Sequence, residues 1–127
     1  MEERLEHKRW MGKAYQERLG RMSGLSLQTI RPWARPVYWM FGIVIDERVG
    51  KTATEVSDHF KSRGVMTRTF FRGMHEQPAL RRTGLFENDR HRVAERLAQQ
   101  GLYLPSGPTL TPRQLEQVCD AVASALG

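Results

Sequence analysis

The longest apolar run of the 127-residue chain is Val37-Tyr-Trp-Met-Phe-Gly-Ile-Val-Ile45. Both of its alternating sets of positions are apolar, and it is rich in β-branched and aromatic residues. This pattern is typical of a strand that is covered on both faces of its sheet, so we predict a central β-strand here. At nine residues the run is far shorter than the roughly 20 that a membrane-spanning helix requires.

Two capping boxes mark where helices begin. Thr52-Ala-Thr-Glu55 and Thr111-Pro-Arg-Gln114 each place a hydroxyl at the N-cap and a Glu or Gln three residues later. In this arrangement the two side chains satisfy backbone N–H groups that the first helical turn leaves free. Gly64 stands where a C′ glycine would end the first of these helices.

The order of elements predicts an α/β fold, an α+β sandwich in which a small sheet of about three strands is packed by four helices. One domain is expected over residues 1–127, because domains usually run from about 50 to 250 residues. It would consist of a lead-in helix at 3–22, a connector at 23–36 and a small domain at 37–127. The other predicted elements are strands at 65–71 and 102–104, a helix from Thr52 to Gly64, a helix at 89–100 with Val93, Ala94 and Leu97 facing inward, and a last helix after Thr111.

The charge balance is basic, with 20 Lys and Arg against 14 Asp and Glu and a formal net charge of +6. Such an excess is compatible with an anionic ligand or an acidic partner. The basic segments are interleaved with Glu, however, and no recognisable nucleic-acid motif accompanies them. We therefore expect mainly solvated helix faces, with a weak anionic ligand as the alternative and nucleic acid as the disfavoured reading.

The single cysteine, Cys119, excludes an internal disulfide and a cysteine-based zinc site. It falls on the apolar face of the last predicted helix, where a thiol usually packs as a small hydrophobic group. No two of the four histidines are spaced like a metal-ligand pair, so no metal site is expected. The N-terminus is charged and amphipathic rather than the apolar core of a secretory signal. These features predict a cytoplasmic location and no membrane association.

One segment concentrates side chains that could bind a ligand, Arg68-Thr-Phe-Phe-Arg-Gly-Met-His-Glu-Gln-Pro78. Guanidinium groups bind phosphate bidentately, and loops at strand ends commonly hold ligands. The alternative is a surface loop whose aromatic side chains enter the core. In the ligand-facing reading, the two guanidinium groups of Arg68 and Arg72 and the imidazole of His75 would contact the ligand.

Six short motifs follow one another in an order that resembles the C-terminal small domain of the DegT/StrS-type sugar-nucleotide aminotransferases, closest to GDP-perosamine synthase-like members. Each motif is weak alone, but the series extends over nearly the whole chain. The motifs are Val37-Tyr-Trp-Met40, Gly64-Val-Met-Thr-Arg-Thr-Phe-Phe71, Met74-His-Glu-Gln-Pro78, Ala94-Glu-Arg-Leu97, Gly101-Leu-Tyr-Leu-Pro-Ser-Gly107 and Leu110-Thr-Pro-Arg-Gln114.

The resemblance implies half of an enzyme. In that family pyridoxal phosphate is held mainly by a large N-terminal domain, which also supplies the Schiff-base lysine and the acidic partner of the pyridinium nitrogen. We therefore expect no cofactor on this chain and no transaminase activity by the chain alone. In the family the strand-end loop with its histidine faces the sugar-nucleotide entrance, so the resemblance implies four substrate-facing residues and no catalytic or cofactor-binding residue: Arg68, Arg72, His75 and Gln77. The chain departs from the family pattern at two usual proline positions, which are Gly73 and Arg92 here.

Three hypotheses about function follow from the resemblance. The first is a stand-alone, truncated small domain, whose gene is either a truncation or a separately mobile gene piece. The second is the C-terminal part of a split aminotransferase, completed by a separate chain that carries the cofactor domain. The third is a weak nucleotide- or phosphate-binding or protein-interaction module.

A homodimer is the expected assembly. In a full-length relative, the apolar face of the first helix would pack on the large domain. Without that domain the face would be exposed, and exposed apolar patches tend to be covered, most often by a twofold copy. The residues expected to form this exposed patch are Trp10, Met11, Tyr15, Leu19 and Trp33.

Overall fold

The computed structural model describes residues 2–127 and contains one four-stranded antiparallel sheet. In space the strands follow the order β1-β2-β4-β3. The central pair is fixed by a register in which Phe41 lies opposite Leu104 and Ile43 opposite Leu102. The strands are β1 (Leu25–Leu27), β2 (Phe41–Ile45), β3 (Arg68–Thr69) and β4 (Gly101–Leu104).

Within residues 2–127, five α-helices accompany the sheet, together with two short 3-10 turns at Glu47–Val49 and Met74–Glu76. The predicted α/β class is confirmed, but the predicted three strands and four helices are each one too few. The additional strand, β1, lies in the predicted connector, and the additional helix is the single turn α3. The helices are α1 (Glu2–Leu19), α2 (Ala53–Ser62), α3 (Pro78–Arg81), α4 (Arg92–Gln100) and α5 (Pro112–Leu126).

Both predicted capping boxes are present. Thr52 accepts a hydrogen bond from the backbone N–H of Glu55, and the Glu55 carboxylate accepts one from the backbone N–H of Thr52 at 2.7 Å. Thr111 and Gln114 repeat the arrangement at the start of α5, with a return bond of 2.9 Å. Gly64, just beyond α2, has a φ of +74°, as a left-handed C′ residue requires.

The predicted central strand is confirmed as β2, which lies between β1 and β4, but it begins at Phe41 rather than Val37. The reason is Tyr38, whose φ of +47° is incompatible with an extended strand. This backbone turn directs the Tyr38 ring into the core, where it lies against Gly12 of α1 and stacks on Phe41 at 5.9 Å between ring centroids.

The core lies between one face of the sheet and the helices α1, α2 and α5. Phe41, Ile43 and Ile45 of β2 point into it, while the intervening Gly42 and Val44 are only half-buried on the opposite face. The expected cover on both faces is therefore complete on the core face and only partial on the other, where the Phe70 ring lies over Gly42. The largest fully buried side chains are Tyr15, Phe41, Phe60, Met11, Leu19, Ile43, Ile45, Leu102, Leu115, Val56 and Val122.

The apolar stripe of α1 is buried within the chain itself. Met11, Tyr15 and Leu19 have no exposed surface, because α5 and the sheet cover them. The expectation that they form an exposed patch is therefore wrong, and only Trp10 and Trp33 of the predicted set reach solvent. The homodimer itself stays a prediction, and any interface would have to use side chains other than Met11, Tyr15 and Leu19.

Other predicted boundaries also change. The first helix ends at Leu19 rather than residue 22, and the strand predicted at 65–71 is reduced to Arg68–Thr69. The helix predicted from residue 89 begins at Arg92 and has no fully buried residue. Val93, expected to face inward, is 68% exposed.

Candidate functional site

The candidate loop leaves the sheet at its edge. Strand β3 pairs only with β4, where Arg68 lies opposite Tyr103. The backbone N–H of Phe70 then donates to the carbonyl of Gly101 at 2.9 Å, after which the chain passes through the 3-10 turn Met74–Glu76 into α3. The loop is thus anchored to β4 at its start and to a short helical turn at its end.

The two loop aromatics take different positions. Phe70 stacks on Tyr103 at 4.4 Å between ring centroids, with its ring directly over Gly42 and Gly101. The two glycines leave the outer face of the sheet flat, and an ideal Cβ on Gly42 would lie 2.7 Å from the Phe70 ring. Phe71 instead is 70% exposed. The alternative in which both aromatics enter the core is therefore wrong.

The two arginines of the candidate set do not converge on one pocket. Arg68 lines a cleft together with Met66 and Tyr103. Arg72 lines a different cleft, together with Thr52. The two clefts have no lining residue in common. Within residues 2–127, neither guanidinium has a carboxylate within 4.0 Å. Each is therefore free to contact an anion, but at separate places.

The His75 ring is largely buried, so most of its surface is closed to a ligand. Its Nε2 lies 3.3 Å from Oε1 of Glu95, and only 6% of its side chain is exposed. The edge of the His91 ring stands against it, at 4.7 Å between centroids. This packing joins the loop to the first turn of α4.

Glu95 is the centre of this contact and receives several hydrogen bonds. Arg90 donates through Nε and Nη2, each at 3.0 Å, and the backbone N–H of His91 donates at 3.1 Å. The Arg90 hydrogen bonds, helped by the His91 N–H and by His75, lower the pKa of Glu95 to about 2. The carboxylate is thus ionised throughout the physiological range.

Gln77 closes the loop on itself, because its Nε2 donates to the carbonyl of Arg72 at 3.2 Å. The four predicted substrate-facing residues are therefore neighbours in sequence that face different surroundings, and their role as substrate contacts stays a prediction.

Sequence reasoning missed Glu95 and Arg90. The signal available in the sequence was Glu95 itself, an acidic residue in the first turn of α4, just after Arg90 and His91.

None of the four lysines stands free in an apolar pocket. Lys8 donates from Nζ to the carbonyl of Trp39 at 3.1 Å and to that of Ser106, and Lys51 donates to the carbonyl of Ala125 at 2.7 Å. Lys13 and Lys61 are exposed. Burial lowers the pKa of Lys8, but its amine is already engaged by two backbone carbonyls.

The described part of the chain offers little other chemistry. Cys119 is buried on α5, and this burial raises the pKa of its thiol to about 11. Residues 2–127 contain no group of three or more His, Cys, Asp or Glu side chains placed to hold a metal ion. Among the same residues, no helix combines the length and the hydropathy needed to cross a membrane.

Comparison with known proteins gives a consistent result. The model of the DegT/DnrJ/EryC1/StrS aminotransferase family matches residues 1–123. GDP-perosamine synthase of Escherichia coli O157:H7 is 28% identical over 85 residues, which are 67% of this chain and 22% of that protein. The chain thus spans less than a quarter of the length of this curated relative.

Solved structures show the same fold. DesV of S. venezuelae, crystallised in complex with a ketimine intermediate, superposes with a TM-score of 0.78 at 28% identity over 95% of this chain and 31% of DesV. PseC of Helicobacter pylori, an aminotransferase involved in pseudoaminic acid biosynthesis, gives a TM-score of 0.81 at 10% identity over 96% of this chain and 32% of PseC. The chain therefore corresponds to about one third of such enzymes.

Proposed function

This chain belongs to the DegT/DnrJ/EryC1/StrS aminotransferase family, and from that premise we propose that it is the C-terminal small domain of a sugar-nucleotide aminotransferase, without transaminase activity by itself. In this reading it is a stand-alone, truncated domain. The pyridoxal phosphate site, the reactive lysine and the pyridinium partner belong to the remaining two thirds of a family enzyme. The cytoplasmic location stays a prediction.

The observation that carries this proposal is the placement of the lysines. Imine formation with pyridoxal phosphate requires an amine that is free and activated by desolvation or by a neighbouring cation. Lys8 and Lys51 have their amines hydrogen-bonded to backbone carbonyls, and Lys13 and Lys61 stand in solvent. The residues present therefore do not fit the cofactor.

Incubation with pyridoxal phosphate followed by borohydride reduction and peptide mapping tests this proposal. We expect slow, substoichiometric labelling spread over the exposed Lys13 and Lys61, as for any surface lysine. A Lys8→Met variant should show the same labelling pattern. Stoichiometric labelling of one lysine, together with amino transfer from an amino acid to a keto sugar nucleotide, would overturn the proposal.

Exposed apolar side chains near the loop favour a second candidate, the C-terminal part of a split enzyme completed by another chain. Met66 is 69% exposed and lines the cleft that contains Arg68 and Tyr103, and Phe71 lies 6.0 Å from the Tyr103 ring. Large exposed apolar side chains around one aromatic commonly mark a surface that another protein covers. The surface formed by Met66, Phe71 and Tyr103 is called the Tyr103 face below.

Reconstitution distinguishes this candidate from the first. The cofactor-binding portion of a family aminotransferase, such as GDP-perosamine synthase, would be mixed with this chain and assayed for amino transfer. The split-enzyme candidate predicts restored activity that Phe71→Ser on the Tyr103 face reduces at least tenfold, whereas the matched surface variant Val93→Ser on α4 leaves it unchanged. If a neighbouring gene encodes a cofactor-bearing partner, an absence of amino transfer with that partner would exclude the split-enzyme candidate.

The unpaired arginines favour weak binding of an anion as a third candidate. Arg68 and Arg72 border different clefts, so each would contact a phosphate in largely hydrated surroundings. Dissociation constants of about 1 mM, or roughly −4 kcal/mol, are expected. Titration with GDP should shift the amides of residues 68–77 first, and added salt should weaken the effect. Equal shifts along α1 would contradict this candidate.

A further inference from the structure

The His75 cluster, formed by His75, Arg90, His91 and Glu95, links the candidate loop to the start of α4. Its central contact joins two side chains that are largely removed from solvent, with 6% of His75 and 16% of Glu95 exposed. Twenty residues separate them in the chain, so the contact exists only in the folded protein. The loop is otherwise held near this point by the hydrogen bond of 3.2 Å from Nε2 of Gln77 to the carbonyl of Arg72.

The surroundings of Glu95 determine which nitrogen of His75 carries the hydrogen. Both oxygens of the carboxylate accept hydrogen bonds from Arg90, and Oε1 also accepts the backbone N–H of His91. A carboxylate so surrounded by donors is ionised and can only accept. The hydrogen in the contact with Glu95 must therefore lie on Nε2 of His75, which leaves Nδ1 of the neutral ring with a lone pair.

The second nitrogen of the ring, Nδ1, lies beside Gly73 and is not fully buried. Nδ1 of His75 makes no hydrogen bond with residues 2–127. In that part of the chain the buried side-chain nitrogens and oxygens without a partner are on His7, Glu76 and Gln100, not on His75. It follows that Nδ1 accounts for some of the small exposed surface of this ring.

Gly73 is what allows the ring to take this position. An ideal Cβ on residue 73 would lie 2.7 Å from Nδ1 and 2.6 Å from Cε1 of His75, closer than side-chain carbons approach other atoms. A larger residue at this point would clash with the ring, so the ring would have to leave the position from which Nε2 meets Glu95. The ring is thus held between Gly73 on one side and Glu95 on the other.

We infer that Glu95 is a positioning residue, which fixes His75 as the Nε2–H tautomer and presents Nδ1 at the loop surface as the acceptor for an O–H or N–H group of a bound ligand. Only the identity of the ligand rests on the proposed function. The tautomer and the direction of Nδ1 are properties of this chain alone, so they are measurable without cofactor or partner.

Nitrogen-15 labelling of the histidines provides the test. Long-range nitrogen–proton correlation near pH 9, where an ordinary histidine is neutral, distinguishes a ring nitrogen that bears hydrogen from one that bears a lone pair. We expect a slowly exchanging N–H on Nε2 of His75 and a lone-pair shift on Nδ1. A wild-type spectrum with the hydrogen on Nδ1, or with no slowly exchanging ring N–H, would overturn the inference.

Three variants separate positioning from simple packing. Glu95→Ala removes the acceptor, and Gly73→Ala displaces the ring while it keeps the carboxylate, so the protected Nε2–H signal should be lost in both. Arg92→Ala is the matched control, because Arg92 is exposed in the first turn of α4 and takes no part in the cluster, and the signal should persist. Persistence in Glu95→Ala, or loss in Arg92→Ala, would overturn the role assigned to Glu95. Because Gly73→Ala leaves the cluster's charges intact, it remains informative if Glu95→Ala unfolds.

Discussion

The hydroxyl of Tyr15 donates a hydrogen bond of 2.9 Å to the backbone carbonyl of Pro105, and this bond joins the middle of α1 to the turn that follows β4. Burial raises the pKa of Tyr15 above its ordinary value, so the phenol is protonated and remains a donor at neutral pH. The same turn is held from its other side by Ser106, whose Oγ accepts the backbone N–H of Phe41 at 2.9 Å.

Tyr15→Phe should therefore destabilise the fold. The substitution keeps the ring, which packs on Phe41 at 4.8 Å, but leaves the carbonyl of Pro105 without its donor. The free energy of unfolding should fall by about 1–3 kcal/mol, measured by urea denaturation. The matched control is Tyr103→Phe, because the Tyr103 hydroxyl makes no hydrogen bond within residues 2–127. Equal effects of the two variants would contradict this account.

Gly101→Ala should be destabilising through overpacking on the outer face of the sheet. The added methyl group would enter the space of the Phe70 ring and approach the carbonyl of Leu97 to 2.5 Å. A loss of about 1–3 kcal/mol is expected, with a changed near-ultraviolet circular dichroism signal from the Phe70–Tyr103 stack. Gly107→Ala is the control, because no atom lies within 4 Å of its added carbon.

Acidification should release the Glu95 contact. The pKa of Glu95 is about 2 in the folded protein, below the value of about 4.3 for a free glutamate. A depressed carboxyl pKa contributes stability that is fully present above the unfolded value and is lost as the pH falls towards the folded one. The difference in urea midpoint between wild type and Glu95→Gln should therefore shrink from pH 5 to pH 2. A difference that stays constant over this range would disprove the linkage.

The thiol of Cys119 should be almost unreactive in the folded protein. With a pKa of about 11, only roughly one thiol in a thousand is ionised at pH 8, and the thiolate is the reactive form. Labelling by an aromatic disulfide reagent should thus be far slower in the native state than in guanidinium, and should accelerate as the pH approaches 11. Labelling of native protein at the unfolded rate would show that the thiol is accessible.

The same raised pKa has a consequence for stability. Between about pH 8.5, the ordinary value for a thiol, and 11, the folded state holds a proton that the unfolded state has released. Stability from this group is therefore complete below pH 8.5 and declines as the pH rises. Cys119→Ala should remove this part of the alkaline decline, which urea titrations at pH 8 and pH 10 would show.

Local signals in the sequence determined much of the fold. The capping boxes at Thr52 and Thr111 each involve residues three apart, so their geometry depends only on the helix that they begin. The position of β2 follows from the second half of a dense apolar run, whose alternate residues Phe41, Ile43 and Ile45 are buried, whereas Val37 and Trp39 in the first half stay exposed. The family relationship was likewise readable, because it rests on the order of short motifs along the chain.

Contacts between distant segments, in contrast, were decided only by the tertiary structure. Strand β1 has three residues and exists because it pairs with β2, which no local pattern in Leu25–Leu27 predicts. The stripe of α1 was predicted correctly as apolar, but its burial depends on α5, which begins nearly a hundred residues after the stripe. His75 was identified as notable, whereas its partner Glu95 was not. A hydrogen bond between side chains twenty residues apart is set by how the sheet and α4 pack. The sequence alone does not give the distance between two such segments in the folded protein.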